Sequence, residues 1–369
     1  MQKIKRYISY IILYMVSIPL RYFLKIDKNL LLFSARGGAG FEGNSKYLFL
    51  YANLHTDYKC VWITKSKKVQ SELNAQGYEC EYYLSFTALL YAMKANGVFI
   101  THSLSDVMPV FYQKDTKVID LWHGIPIKNV SFLDPNLGFK SRLMDFYKSL
   151  SLNFYVSNSE FFNKIYSRSF KLDVNKIVAL GYPRIEALRN PELFDINDDA
   201  PFEPEFFNIV YAPTFRDYDF ENPLLDNDVL TEFDNELTNK GIRLHFKLHP
   251  SQLTPDLSGF ESIRVINSTV DIYSVLPFCD ALISDYSSII FDYIAAFSDR
   301  KIALFTPDLE KYKEKRGFAL DFETYFKNVI VLDWQLLLDR LGYLSMEDIS
   351  MINVNDNSCM KILELIDEK

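Results

Sequence analysis

Two histidines in this sequence stand where a side chain could take a proton. His123 lies in Trp122-His-Gly-Ile-Pro-Ile-Lys128 and His249 in Lys247-Leu-His-Pro250. Imidazole changes charge near neutral pH, which suits it to general-base work, and Gly124 is expected to leave the face of His123 unobstructed. The run Ile283-Ser-Asp-Tyr-Ser-Ser288 places Ser287 and Ser288 where a helix should open. The free amides and dipole of a helix start favour an anion. Asp285, just before them, suits a hydroxyl, an amide or an imidazole. Three arginines complete the set: Arg184 in Gly181-Tyr-Pro-Arg184, Arg216 in Tyr211-Ala-Pro-Thr-Phe-Arg216, and Arg316 in Lys315-Arg-Gly-Phe318. Converging guanidinium groups make a phosphate clamp. Each feature also has a plainer reading, as a structural histidine, a capping serine or a surface arginine. Together they are the residue types that phosphoryl chemistry requires.

The elements that must position them alternate. Short β-branched or aromatic runs at 30–34, 59–64, 97–101, 117–121, 153–156 and 177–180 predict strands, with helical patterns such as 44–54 and 86–95 between them. After an acidic, proline-containing break at 190–206, further strands are predicted at 207–211, 242–248, 263–266, 281–284, 301–305 and 329–332. Alternating βα units imply parallel sheets covered on both faces. The predicted architecture is α/β, with two doubly wound Rossmann-like domains, 29–195 and 196–369, whose parallel sheets face a central cleft. Such sheets bind ligands beyond the carboxyl ends of their strands, where the motifs above fall.

Composition excludes several alternatives. The net charge of −8 lacks the basic footprint of a general nucleic-acid binder. Cys60, Cys80, Cys279 and Cys359 have no metal-like or disulfide-frame spacing and read as buried thiols of a reducing compartment. Five histidines without paired-ligand spacing give no metal site. The 30 Phe and 24 Tyr predict an aromatic core rather than stacking platforms. Gly38-Ala-Gly-Phe-Glu-Gly43 matches a dinucleotide fingerprint, but the next strand ends at Thr64-Lys65, where that fingerprint needs an acidic residue. A nicotinamide or flavin cofactor is therefore not expected. Gly38 and Gly40 remain either a glycine-lined turn on the cleft or a plain tight turn. Residues 1–28 carry six basic residues against Asp27 around an apolar, tyrosine-rich run at 7–20. That run is short for a span and suits a helix lying in an anionic leaflet, or a helix packed on the protein.

At this point WHGIPIK, GYPRIEAL, YAPTFRD, KLHPS, ISDYSSIIFDY and PDLEKYKEKRGFALDF, in that order over residues 120–322, resemble the CDP-glycerol glycerophosphotransferase family of teichoic acid and capsule synthesis. In length the chain is similar to the single-module, primase-like members. The resemblance implies a GT-B-type fold and a CDP-glycerol or related CDP-polyol donor held by the C-terminal domain. It implies a lipid-linked saccharide acceptor on the N-terminal side, at the cytoplasmic face of the membrane, and no cofactor. His123 would be the base that deprotonates the acceptor hydroxyl. His249, Ser287 and Ser288 would contact the donor pyrophosphate, Asp285 would order that turn, and Arg216 and Arg316 would neutralise phosphate charge. Glu310 would meet the nucleotide ribose, with Gly124, Lys128 and Arg184 lining the cleft. Ile125 departs from the small hydroxyl residue expected there. Two other functions share this fold or these motifs: sugar transfer from a nucleotide sugar, and non-catalytic binding of nucleotide or glycan.

Overall fold

The computed structural model describes residues 15, 17–19, 23–107, 112–194, 202–216, 218–249, 256–344 and 350–368. Of the apolar run at 7–20, residues 15 and 17–19 are among these, and the rest lies outside the described residues. Among the described residues, no helix is long and apolar enough to cross a membrane.

The chain divides into two compact units. The first comprises Met1–His123, Leu137–Asp195 and Asn355–Lys369; the second comprises Gly124–Asn136 and Ile196–Val354. A single cut at 195 misses two exchanges. The chain passes into the second unit directly after His123, and its last segment returns to the first. The return is built into the Gly181 turn, whose φ is +82° and whose Cβ, if it had one, would lie 2.4 Å from Ser358 Oγ. The proposed N-terminal segment 1–28 also ends two residues too late. Asp27 already belongs to the first strand and pairs with Ala95.

The first unit carries a parallel sheet of β1 (Asp27–Phe33), β2 (Lys59–Thr64), β3 (Cys80–Tyr82), β4 (Ala95–Ile100), β5 (Lys117–Asp120), β6 (Phe154–Ser157) and β7 (Ile177–Ala179). Its order is β3-β2-β1-β4-β5-β6-β7. The second carries β8 (Phe207–Tyr211), β9 (Ile242–Phe246), β10 (Ile263–Val265), β11 (Ala281–Ser284), β12 (Lys301–Phe305) and β13 (Ile330–Val331), in the order β10-β9-β8-β11-β12-β13. Leu30–Phe33 are all buried because β1 is covered by helices on both faces, which is why it reads as an unbroken apolar run. Phe33 stacks on Phe99 at 4.8 Å and meets Phe49 edge-on at 5.4 Å, so the aromatics build core. The second core gathers Ile209, Leu230, Phe233, Leu244, Phe246 and Ile283. All four cysteines are free and buried. In each sheet the order reverses beside the first strand, between β1 and β4 and between β8 and β11. Ligands of doubly wound sheets sit at such a reversal.

Candidate active site

His123 follows β5 on a strained turn. Trp122 has φ +51°, a left-handed conformation rare for a bulky residue, and Gly124 has φ +147°, which favours glycine. Strain of this kind persists only where surrounding contacts over-determine it. Here Asp120 Oδ1 accepts the Trp122 amide at 2.9 Å. Asn44 Nδ2 donates to the carbonyls of Leu121 (2.9 Å) and Trp122 (3.1 Å), and Arg184 Nη1 donates to the His123 carbonyl at 2.9 Å. Asn44 and Arg184 are buried, so the turn is set from the first turns of two helices, Gly43–His55 and Pro183–Arg189. Arg184 thus holds the backbone of the histidine turn.

His123 Nδ1 lies 3.1 Å from the Thr101 carbonyl. A carbonyl only accepts, so Nδ1 carries the proton and the lone pair is on Nε2. Burial lowers the His123 pKa well below the ordinary imidazole value, and the neighbouring His102, Lys148 and Arg184 push the same way. The ring is therefore a neutral base at pH 7. Below it, the Lys148 ammonium pairs with the buried Asp120 carboxylate and donates to the His102 carbonyl at 2.8 Å.

The glycine-lined turn is a tight turn. Its Gly37 amide donates to Asp106 Oδ1 at 2.7 Å and its Gly38 amide to the Ala35 carbonyl at 2.9 Å, while Gly40 bridges to Ala35. The amides of Gly37 and Gly38 are thus used inside the fold.

In the second unit, Asp285 is buried after β11. Its carboxylate accepts the Thr214 amide (3.0 Å), the Thr214 hydroxyl (2.6 Å) and the Tyr286 amide (2.6 Å), tying the loop after β8 to the turn after β11. Ser287 and Ser288 follow at the start of the helix Ile289–Ala296. Ser288 takes helical angles with no side-chain cap bond, and Ser287 Oγ accepts the Ile289 amide at 3.5 Å, a long cap. Capping therefore accounts for Ser287 and not for the Ser288 hydroxyl.

Arg216 corrects the reading of it as a phosphate clamp. Its guanidinium side chain is 7% exposed. It forms a bidentate pair with Asp308 (2.8 and 3.1 Å), an ion pair with Asp285 (2.9 Å) and a bond to the Thr214 carbonyl (2.6 Å). One cation between two carboxylates has no charge left over for a phosphate. Arg216 is a strut that joins the loops after β8, β11 and β12, with Tyr286 and Tyr312 rings within 5.1 Å. Burial alone would raise the Asp308 pKa. Hydrogen bonds from Arg216 and Tyr218 reverse that and hold it below the usual carboxylate range. Asp308 sits in the PDLEKY motif two residues before Glu310, which is exposed in the first turn of the helix Leu309–Lys315.

Arg316 pairs with Asp134 at 3.4 Å, half-buried. Lys128 is bridged in antiparallel fashion to Phe318, which fixes the segment after Gly124 to the KRGF turn. His249 is exposed, with its ring 5.2 Å from Phe215. Among the described residues, no group of three or more His, Cys, Asp or Glu side chains could hold a metal ion.

Two Rossmann-like units, each with a doubly wound parallel sheet, make this a GT-B-type fold. Solved structures agree at the level of fold. A wall teichoic acid polymerase TagF superposes with a TM-score of 0.76 at 21% identity, covering 97% of this chain and 92% of that one. A UDP-GlcNAc 2-epimerase from Neisseria meningitidis gives 0.57 at 11%, covering 94% and 100%. The chain belongs to the CDP-glycerol:poly(glycerophosphate) glycerophosphotransferase family, whose model matches residues 15–367. Among curated relatives, a teichoic acid glycerol-phosphate transferase of Staphylococcus aureus is 27% identical, over 85% of this chain and 84% of that protein. A teichoic acid poly(glycerol phosphate) polymerase of Bacillus subtilis is also 27% identical, over 88% of this chain. This chain spans 45% of the length of that polymerase.

Proposed function

We propose that this protein transfers glycerol phosphate, or a similar polyol phosphate, from a CDP-activated donor to a lipid-linked glycan in teichoic acid or capsule synthesis. The observation that carries this is His123: within the family's match, it is held neutral with its proton on Nδ1 and its lone pair on Nε2. The acceptor hydroxyl passes its proton to Nε2 as its oxygen attacks the distal phosphorus of the donor. The bond from that phosphorus to CMP breaks, CMP leaves, and a phosphodiester remains. Positioning and charge stabilisation dominate such a transfer. Ser287 and Ser288 are assigned to the donor pyrophosphate, where the amides that open the helix Ile289–Ala296 favour an anion. His249 and Arg316 are assigned to the same phosphates and Glu310 to the ribose, with no cofactor. The test is nucleotide release from CDP-glycerol, CDP-ribitol and UDP-sugars with membranes as acceptor source. CMP from a CDP-polyol is expected. UDP release would transfer the reading to a glycosyltransferase, and binding without release to a scaffold.

A place at the cytoplasmic face of the membrane, held peripherally, belongs to the same proposal. It has support besides the basic segment 1–28. The helix Phe139–Ser151 presents Phe139, Leu143, Tyr147 and Leu150 along one side, with Phe139 82% and Leu150 65% exposed. An apolar row at this spacing beside Lys140 and Arg142 suits an anionic bilayer surface. The double substitution Leu143→Ser and Leu150→Ser is expected to weaken co-sedimentation with vesicles containing anionic phospholipid by at least tenfold, since each buried leucine contributes roughly 1.5–3 kcal/mol. Unchanged vesicle binding would remove this helix from the account.

A further inference from the structure

The loop after β4 brings a second histidine against the first. His102 stacks on His123 with ring centroids 4.1 Å apart and planes 12° from parallel. Ile100 and Asp120 are register partners in neighbouring strands, so the residues following each strand meet at one sheet edge. The Thr101–His102 pair is clamped more firmly than a loop needs. Asp106 Oδ2 accepts the amides of Thr101 (2.9 Å) and His102 (3.0 Å). Lys148 donates to the His102 carbonyl at 2.8 Å, and His102 Nδ1 lies 2.8 Å from Thr101 Oγ1. Every one of these contacts fixes either the carbonyl that sets the tautomer of His123 or the ring that covers its face.

We propose that His102 is a positioning residue for His123, its ring a fixed wall that holds the imidazole plane and keeps water from one face. The proposal rests on reading His123 as the base. The charged groups around the pair are mixed. His123 is faced by His102, Lys148 and Arg184, all of which disfavour its charge. His102 is faced by Asp106, Asp120 and Glu42, which favour charge, and by Lys148, which opposes it. Burial outweighs those carboxylates, so His102 too titrates below its ordinary value. Removing the ring opens His123 to water, and the cost of charging it falls.

The experiment follows the imidazole Cε1–H resonances of the full chain against pH, with the His123 signal assigned by its loss in His123→Asn. In His102→Ala the His123 midpoint is expected to rise by about one pH unit towards 6.5. The acid limb of kcat/KM for CDP-glycerol should move up with it, and kcat should fall about tenfold with little change in KM. His102→Phe, which keeps a flat ring in place, is expected to restore the low midpoint and most of kcat. Should His102→Ala fail to fold, His102→Asn makes the same prediction. An unchanged His123 midpoint in a folded His102→Ala or His102→Asn protein overturns the proposal, as does a loss confined to KM. If wild type releases no CMP from any CDP-polyol, the functional reading fails, and the resonance titration still decides what His102 does to His123.

Discussion

Replacing His123 by alanine is expected to lower CMP release from the CDP-polyol by about 10²–10⁴-fold, the usual contribution of a positioned general base, while the protein stays folded. The turn should survive because its anchors reach the backbone rather than the imidazole. Arg184 donates to the His123 carbonyl and Asn44 to the carbonyls of Leu121 and Trp122. The bond from Nδ1 to the Thr101 carbonyl is the one the substitution removes. In the wild type, the lowered pKa sets a second expectation. The base stays deprotonated from pH 8 down through about 6.5, the ordinary histidine value, so kcat/KM should be flat there and fall only at more acid pH. Steady-state release measured between pH 5 and 8, beside thermal melts of both proteins, checks both points. A His123→Ala protein that melts normally and turns over at the wild-type rate would remove His123 from the chemistry.

The second large effect is on stability. Arg216→Met is expected to cost about 3–5 kcal/mol, the usual result of removing one partner from a buried ion pair. The side chains involved are 7% exposed for Arg216, 2% for Asp285 and 3% for Asp308. With the arginine gone, two buried carboxylates face each other uncompensated. Arg216→Lys should recover little, because an ammonium cannot reproduce the bidentate pair with Asp308 and the contact with Asp285. Asp308→Asn should be milder, since it leaves Arg216 paired with Asp285 and keeps an acceptor for Tyr218. Urea unfolding at pH 7 measures all three. An Arg216→Met protein as stable as wild type would restore the clamp reading, since only a weakly engaged arginine could be lost so cheaply.

Much of the two units' strand-end clusters was legible in the sequence because strand ends are legible. The runs 117–121, 207–211 and 281–284 carry enough β-branched and aromatic residues to locate the tips that hold His123, Arg216 and Asp285. The strand Cys80–Tyr82 was not legible: three residues at a sheet edge, reading Cys-Glu-Tyr, leave no periodic signal. The role of Arg216 was misread for a related reason. Sequence gives the arginine and its strand, but Asp308 lies 92 residues away and only the fold brings it to 2.8 Å. His102 and Asn44 were missed because neither sits in a recognisable motif. A histidine directly after the run 97–101, at the strand tip next to that of His123, was the signal that could have found the first. The exchange of Gly124–Asn136 into the second unit has no local signature, since WHGIPIK reads as one motif although the unit boundary runs through it.

In the proposed reaction a phosphorus atom moves and CMP leaves. The most direct measurement follows phosphorus by NMR during incubation of the purified chain with CDP-glycerol and acceptor-bearing membranes. The donor's pyrophosphate signals are expected to decline while CMP and a new phosphodiester resonance grow in equal amounts. Donor consumption without a phosphodiester, or a donor left intact while a UDP-sugar is consumed, would contradict it.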